Sequence, residues 1–152
     1  MTLTYIDQHG NPQGLINISE MNHSALMPQL LKVVTNNHNA AQAAYDTNME
    51  RQERYEEDTY GEYDMDYSKY LHEITEEAKI HRNYTRDLML SLQGYLSETC
   101  PDVDMSATDW LEAFSTLIST NTEPRVLNYC RTITEEIARL LATQGNPRCY
   151  WA

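Results

Sequence analysis

Between Tyr67 and Tyr95 the chain repeats one interval. Tyr67, Leu71, Ile74, Ala78, His81, Thr85, Leu88, Leu92 and Tyr95 follow one another at alternating steps of four and three. That spacing puts all of them on one face of an α-helix, a heptad-like seam that another helix must cover. A strand, with its period of two, would scatter the same residues over both faces. The middle of the chain therefore demands helix-on-helix packing. This helix is expected to stop near Glu98, because Pro101 cannot continue it.

The flanking segments read the same way. From about Met27, the residues Leu30, Val34, Ala41, Ala44 and Tyr45 recur at helical spacing. They predict one long helix to about Glu57, with Pro28 in its first turn. The polar run "TNNHN" at 35–39 leaves a kink or break there open. After "CPDVDM", Ser106 and Asp109 resemble a capping box with Asp in place of Glu, and Trp110, Leu111, Phe114, Leu117 and Ile118 make one apolar face. "STNTEPR" reads as a turn, with Thr122 as N-cap and Pro124 in the next first turn. Val126, Cys130, Ile133, Ile137, Leu140 and Leu141 line a last helix that Gly145 stops.

The amino terminus has a different period. "TLTYI" alternates, "DQHGNPQG" is rich in turn formers, and "LINIS" returns as a second strand. A lone hairpin is marginal in water, so it must pack on helices or pair with another chain. The expected fold is mainly α: a small bundle of about four helices, two long and two shorter, with a short N-terminal β-hairpin. Short loops between the last three helices favour antiparallel neighbours. We read a single domain over 1–152: a hairpin appendage over 1–20, a helical body over 24–143, and an aromatic tail over 144–152 that docks on the body.

Charge narrows the function. With 23 acids against 11 bases the formal charge is −12. No phosphate-neutralising patch is available, which argues against direct nucleic-acid or anionic-membrane binding and favours a basic partner. Apolar runs such as "LML" at 88–90 are far too short to span a bilayer, and the first residues lack the pattern of a signal peptide. Cys100, Cys130 and Cys149 have no CxxC spacing, which suits reduced thiols and a cytoplasmic location, with Cys130 buried on its helical stripe.

Other chemistries fit the sequence less well. "DMDYS" offers Asp64, Asp66 and Ser68 at alternate positions, but the sixth and twelfth places of a calcium loop hold Lys69 and Thr75 instead of Gly and Glu. Glu20 and His23 form one ExxH pair where a di-iron bundle needs two. His72 with Glu76, and Glu77 with His81, stand one turn apart and have zinc-ligand geometry, yet surface hydrogen bonding and a seam role for His81 are the preferred reading. Motifs for nucleophilic or phosphate chemistry are missing. We expect no enzyme activity, no metal and no cofactor.

What remains is "RYEEDTYGEYDMDYSKY" at 54–70. Residues 46–87 carry thirteen acids and six bases, the most acidic third of the chain. Tyr60, Tyr63, Tyr67 and Tyr70 are spaced three, four and three, and Ile74 continues the series into the seam. Thr59 and Gly61 mark a turn, so the segment reads as a helix–turn–helix corner with an acidic rim and an aromatic underside. The partner-binding residues expected here are Glu53, Glu56, Glu57, Asp58, Tyr60, Glu62, Tyr63, Asp64 and Asp66. Tyrosine gives rigid contact area, and clustered carboxylates orient a Lys/Arg-rich partner.

The leading expectation is a non-enzymatic inhibitor that mimics nucleic acid and blocks a basic, nucleic-acid-binding protein, as phage or mobile-element antagonists of host defence do. The alternatives are an assembly or adaptor protein of virion type, and a metal-dependent bundle enzyme. A homodimer and a monomer both stay open.

Overall fold

The computed structural model describes residues 1–58, 64–98, 104–121 and 123–152. The fold is mainly α. Strands β1 (Thr2–Ile6) and β2 (Pro12–Asn17) precede two long helices, α1 (Glu20–Asp58) and α2 (Met65–Leu96). Strand β3 (Met105–Ser106), helices α3 (Ala107–Thr120) and α4 (Pro124–Gln144), and strand β4 (Arg148–Trp151) complete the chain. Two compact units divide it, a terminal unit of Met1–Val34 with Leu90–Ala152 and a helical unit of Thr35–Met89.

In the terminal unit the hairpin is not an appendage. β1 pairs antiparallel with β2 on one side and with β4 on the other, giving a four-stranded sheet of order β2-β1-β4-β3. The expected docking tail thus becomes a strand, with Leu3 opposite Trp151. Backbone bonds between Thr2 and Ala152, at 2.9 and 2.8 Å, tie the two ends of the chain together. In the β1–β2 turn, Asp7 Oδ1 accepts the backbone N–H groups of His9 and Asn11, each at 2.8 Å. Gly10, at φ 80°, supplies the left-handed residue that such a turn requires.

Leu3, Trp110, Phe114, Cys130, Ile133 and Ile137 are all fully buried in this unit. Trp110 stacks on Phe114, meets Trp151 edge to face, and donates its indole N–H to the Cys149 carbonyl at 3.0 Å. The cap on α3 is as expected: Ser106 Oγ accepts from the Asp109 N–H at 3.2 Å. α4 begins at Pro124 and ends at Gly145 (φ 75°); Thr122, the expected N-cap, lies outside the described residues.

α1 begins seven residues before Met27. Ser19 Oγ accepts the Asn22 N–H at 3.3 Å, so Ser19 rather than the region of Pro28 sets the start. Pro28 lies inside the helix. It is exposed, as is Ser24, so solvent can satisfy the carbonyl left without a backbone donor. Residues 35–39 are helical throughout. The polar run survives because His38 Nδ1 hydrogen-bonds Thr85 Oγ1 at 3.3 Å and Ala41 is buried one turn later.

The helical unit is a hairpin of α1 and α2. Its cross-helix contacts pair Tyr45 with Arg82, Asn48 with Thr75, Gln52 with His72 and Tyr55 with Tyr67, ascending on one helix while descending on the other. The two segments are therefore antiparallel. The expected α2 seam holds at Leu71, Ile74, Ala78, Thr85, Leu88, Leu92 and Tyr95, which are buried or half-buried. It departs at Tyr67 and His81, which are exposed, while Thr75 and Arg82 join it from the adjacent stripe. Leu71, Thr75 and Thr85 are buried, Ala78 and Arg82 are half-buried, and His81 is exposed. Thr75 is tolerated inside because its hydroxyl donates to the Leu71 carbonyl at 2.7 Å, and Arg82 because its guanidinium lies over the Tyr45 ring at 4.5 Å.

Candidate functional site: the acidic tyrosine corner

The corner is built on Tyr55 and Asp64, nine residues apart. Tyr55, on the last turns of α1, accepts the Asp64 backbone N–H on its phenolic oxygen at 2.9 Å and donates its own proton to the Asp64 carbonyl at 3.3 Å. Asp64 in turn caps α2, its Oδ1 accepting the N–H groups of Asp66 at 2.9 Å and Tyr67 at 3.2 Å. One side chain thus holds the chain where it re-enters helix, and one carboxylate starts that helix.

Aromatic contacts extend from this hub. Tyr55 meets Tyr67 edge to face at 4.8 Å between ring centroids, and Tyr67 stacks with Tyr70 at 6.3 Å with 30° between planes. Tyr67 and Tyr70 were expected beneath the corner, on the seam. They are instead exposed, at 42% and 54%, as is Met65 at the start of the same helix. Tyr70 stands one residue before the buried Leu71 and so turns off the seam toward solvent. Tyr67, in the first turn of α2, keeps its ring edge on Tyr55 and is still exposed.

Among the expected partner-binding residues, Glu53, Glu56, Glu57, Asp64 and Asp66 are described and exposed. Asp58 is the last residue of α1, and its side chain is not among those described; Tyr60, Glu62 and Tyr63 lie outside the described residues, as do Thr59 and Gly61. The structure brings Glu53, Glu56 and Glu57 onto the end of α1, and Asp64 and Asp66 onto the start of α2, on either side of the Tyr55–Asp64 grip. The nearby cation Arg54 is engaged with Glu50 at 2.7 Å in an exposed i,i+4 pair, which removes one local counter-charge. The helical unit carries thirteen of the acids and six of the bases.

Sequence reasoning missed Tyr55 as the organiser. The available signal was Asp64 itself, an N-cap residue just before the α2 pattern, whose backbone needs a partner where the chain turns.

The other candidates fall apart as sites. His72 Nδ1 accepts from Gln52 at 2.8 Å, while Glu76, Glu77 and His81 are exposed. His23 is buried, with Nε2 at 2.8 Å from the Tyr95 hydroxyl and its ring edge on Trp151, whereas Glu20 is exposed. No group of three or more His, Cys, Asp or Glu among the described residues is arranged to hold a metal ion. Cys130 and Cys149 are free, buried thiols pushed up to about 11 and about 12 by burial, so they are protonated and poor nucleophiles at neutral pH. No described helix is long and apolar enough to cross a membrane. In comparisons with known proteins, no family model, no curated protein and no solved structure matches this chain.

Proposed function

We propose that the chain is a non-enzymatic interaction protein whose acidic tyrosine corner binds a basic, nucleic-acid-binding protein and competes with the nucleic acid. One observation carries the reading. Exposed carboxylates of Glu53, Glu56 and Glu57 stand at the end of α1 and that of Asp66 at the start of α2, which also carries an exposed, stacked Tyr67–Tyr70 pair. Tyr55 and Asp64 join the two helix ends. Carboxylates take the place of phosphates for Lys and Arg, and tyrosine faces take the place of bases for guanidinium stacking. A pinned corner presents both with little ordering cost. In this reading the chain is a nucleic-acid mimic of the kind that phage or mobile-element antagonists use against host defence complexes.

The test is affinity capture from the native host at low and high salt, followed by binding kinetics with the captured protein. Charge reversal of Glu53, Glu56, Glu57 and Asp66 spares the Asp64 cap and is expected to slow association by at least about tenfold at low salt and to flatten the salt dependence. Unchanged affinity and salt slope in a folded variant would overturn the reading.

A second reading, assembly or adaptor function, is favoured by the thin core of the helical unit, where Ala41 and Leu71 are the buried apolar side chains among the described residues. Light scattering decides it: a strict monomer at micromolar concentration excludes self-assembly.

A further inference from the structure

A cleft of about 140 Å³ lies within the terminal unit, between the first turns of α1 and the start of α4. Its floor is apolar: Leu26 and Val126 are buried, and Ala25 and Met21 continue the lining. One edge is polar and organised. Asn22 donates its amide N–H to the Tyr129 hydroxyl at 2.5 Å, and the Arg125 guanidinium donates to the Asn22 amide oxygen at 3.4 Å. Because Tyr129 accepts in that bond, its own O–H proton is free to donate. Arg125 is exposed, and the ion pairs among the described residues do not use it.

We propose that this cleft binds a monocarboxylate carried on a compact hydrocarbon group. The carboxylate takes Arg125 and the Tyr129 O–H, and the hydrocarbon covers Leu26 and Val126. Size sets the class: an apolar cavity of about 150 Å³ holds benzene, so one ring or about six carbons fills the present volume. An inorganic anion would leave the apolar floor wet, and a neutral hydrocarbon would leave the Arg125 charge without an opposite charge. Glu123, which also lines the cleft, opposes an anion and so fixes the direction of a control. The inference does not depend on the acidic corner.

The experiment is an NMR titration of the full chain with hexanoate, with hexanol as neutral control and N-acetyl-leucine as mimic of a peptide chain end. Hexanoate is expected to saturate the amide shifts of Ala25 and Val126, at an affinity roughly tenfold above hexanol. Arg125→Gln should weaken that binding and Glu123→Gln should tighten it; both residues are exposed, so neither change threatens the fold. Tighter binding of N-acetyl-leucine than hexanoate assigns the site to a chain end, and the reverse assigns it to a free acid. Absence of saturable shifts, equal binding of hexanol, or the opposite response of the two variants overturns the proposal.

Discussion

Tyr55 and Asp64 exchange two hydrogen bonds across the corner, the Asp64 N–H reaching the phenol at 2.9 Å and the phenol reaching the Asp64 carbonyl at 3.3 Å. The phenol satisfies the Asp64 N–H, which no helix bond reaches, and shares the Asp64 carbonyl with the Ser68 N–H, which bonds it at 3.0 Å as the first turn of α2. Its consequence is functional as well as local. Asp64 is the cap of α2, so the bonds from Tyr55 set where the exposed Tyr67 and Tyr70 rings stand relative to the α1 carboxylates.

Tyr55→Phe keeps the ring edge on Tyr67 and deletes both bonds. The expected cost is about 1 kcal/mol, confined to the corner. Hydrogen exchange at the amides of Asp64, Asp66 and Tyr67 should accelerate severalfold while Trp110 and Ile133 stay unchanged. Equal acceleration everywhere would mean that the two bonds support global rather than local structure.

Stability should pass through a plateau between about pH 6.5 and 9. Burial first, and then the positive amino terminus, hold the His23 imidazole below its usual 6.5. Below that pH the unfolded chain takes up a proton that the folded chain refuses, so stability falls as pH drops. Cys130 and Cys149 act at the other end. Burial raises both from 9.0, with Asp104 adding to and Arg148 opposing the rise at Cys149. Above pH 9 the unfolded thiols ionise first, and stability falls again. Urea midpoints followed by tryptophan fluorescence across this range check it, and a Cys130→Ala/Cys149→Ala variant should lose part of the alkaline slope.

The helical unit should open before the terminal unit. Its buried side chains among the described residues are Ala41, Leu71, Thr75 and Thr85, against a terminal core that includes Trp110, Phe114, Ile133, Ile137 and Trp151. Local opening follows such differences in buried apolar contact. Native-state hydrogen exchange should give lower opening free energies for amides of 41–50 and 71–85 than for those of 110–117 and 130–140.

Local chemistry made the helices legible, and long-range pairing hid the rest. The Ser106 cap, Pro124 at the start of α4 and Gly145 at its end are signals carried by one or two residues, and each stands where the sequence puts it. The pairing of β1 with β4 joins residues almost a whole chain apart, and no periodicity records it. In α2 the steps of four and three locate the seam from Leu71 to Tyr95 but not its edges. The structure buries Thr75 and half-buries Arg82, which look polar in a sequence, and exposes Tyr67 and Tyr70, which look apolar. Hydrogen bonding and a guanidinium over Tyr45 reverse the ranking that hydrophobicity gives. At the corner the acids could be read, but not the phenol that positions them.

At the edge of the α2 seam, the neighbours His81 and Arg82 should respond differently to substitution. A seam through His81 would make His81→Leu stabilising, since it places an apolar side chain against the facing helix. With His81 exposed and Arg82 half-buried over Tyr45, His81→Leu should instead change stability by less than about 0.5 kcal/mol. Arg82→Ala should cost roughly 1 kcal/mol, through the lost cation–π contact and the alkyl packing beneath it. Leu71→Ala, at a side chain 1% exposed, should cost about 2–5 kcal/mol. Both tryptophans, Trp110 and Trp151, belong to the terminal unit, so their fluorescence reports that unit while far-ultraviolet circular dichroism reports all the helices. Leu71→Ala is therefore expected to shift the dichroism transition to lower urea and leave the fluorescence transition nearly in place. Coincident shifts of both would show that the two units unfold as one.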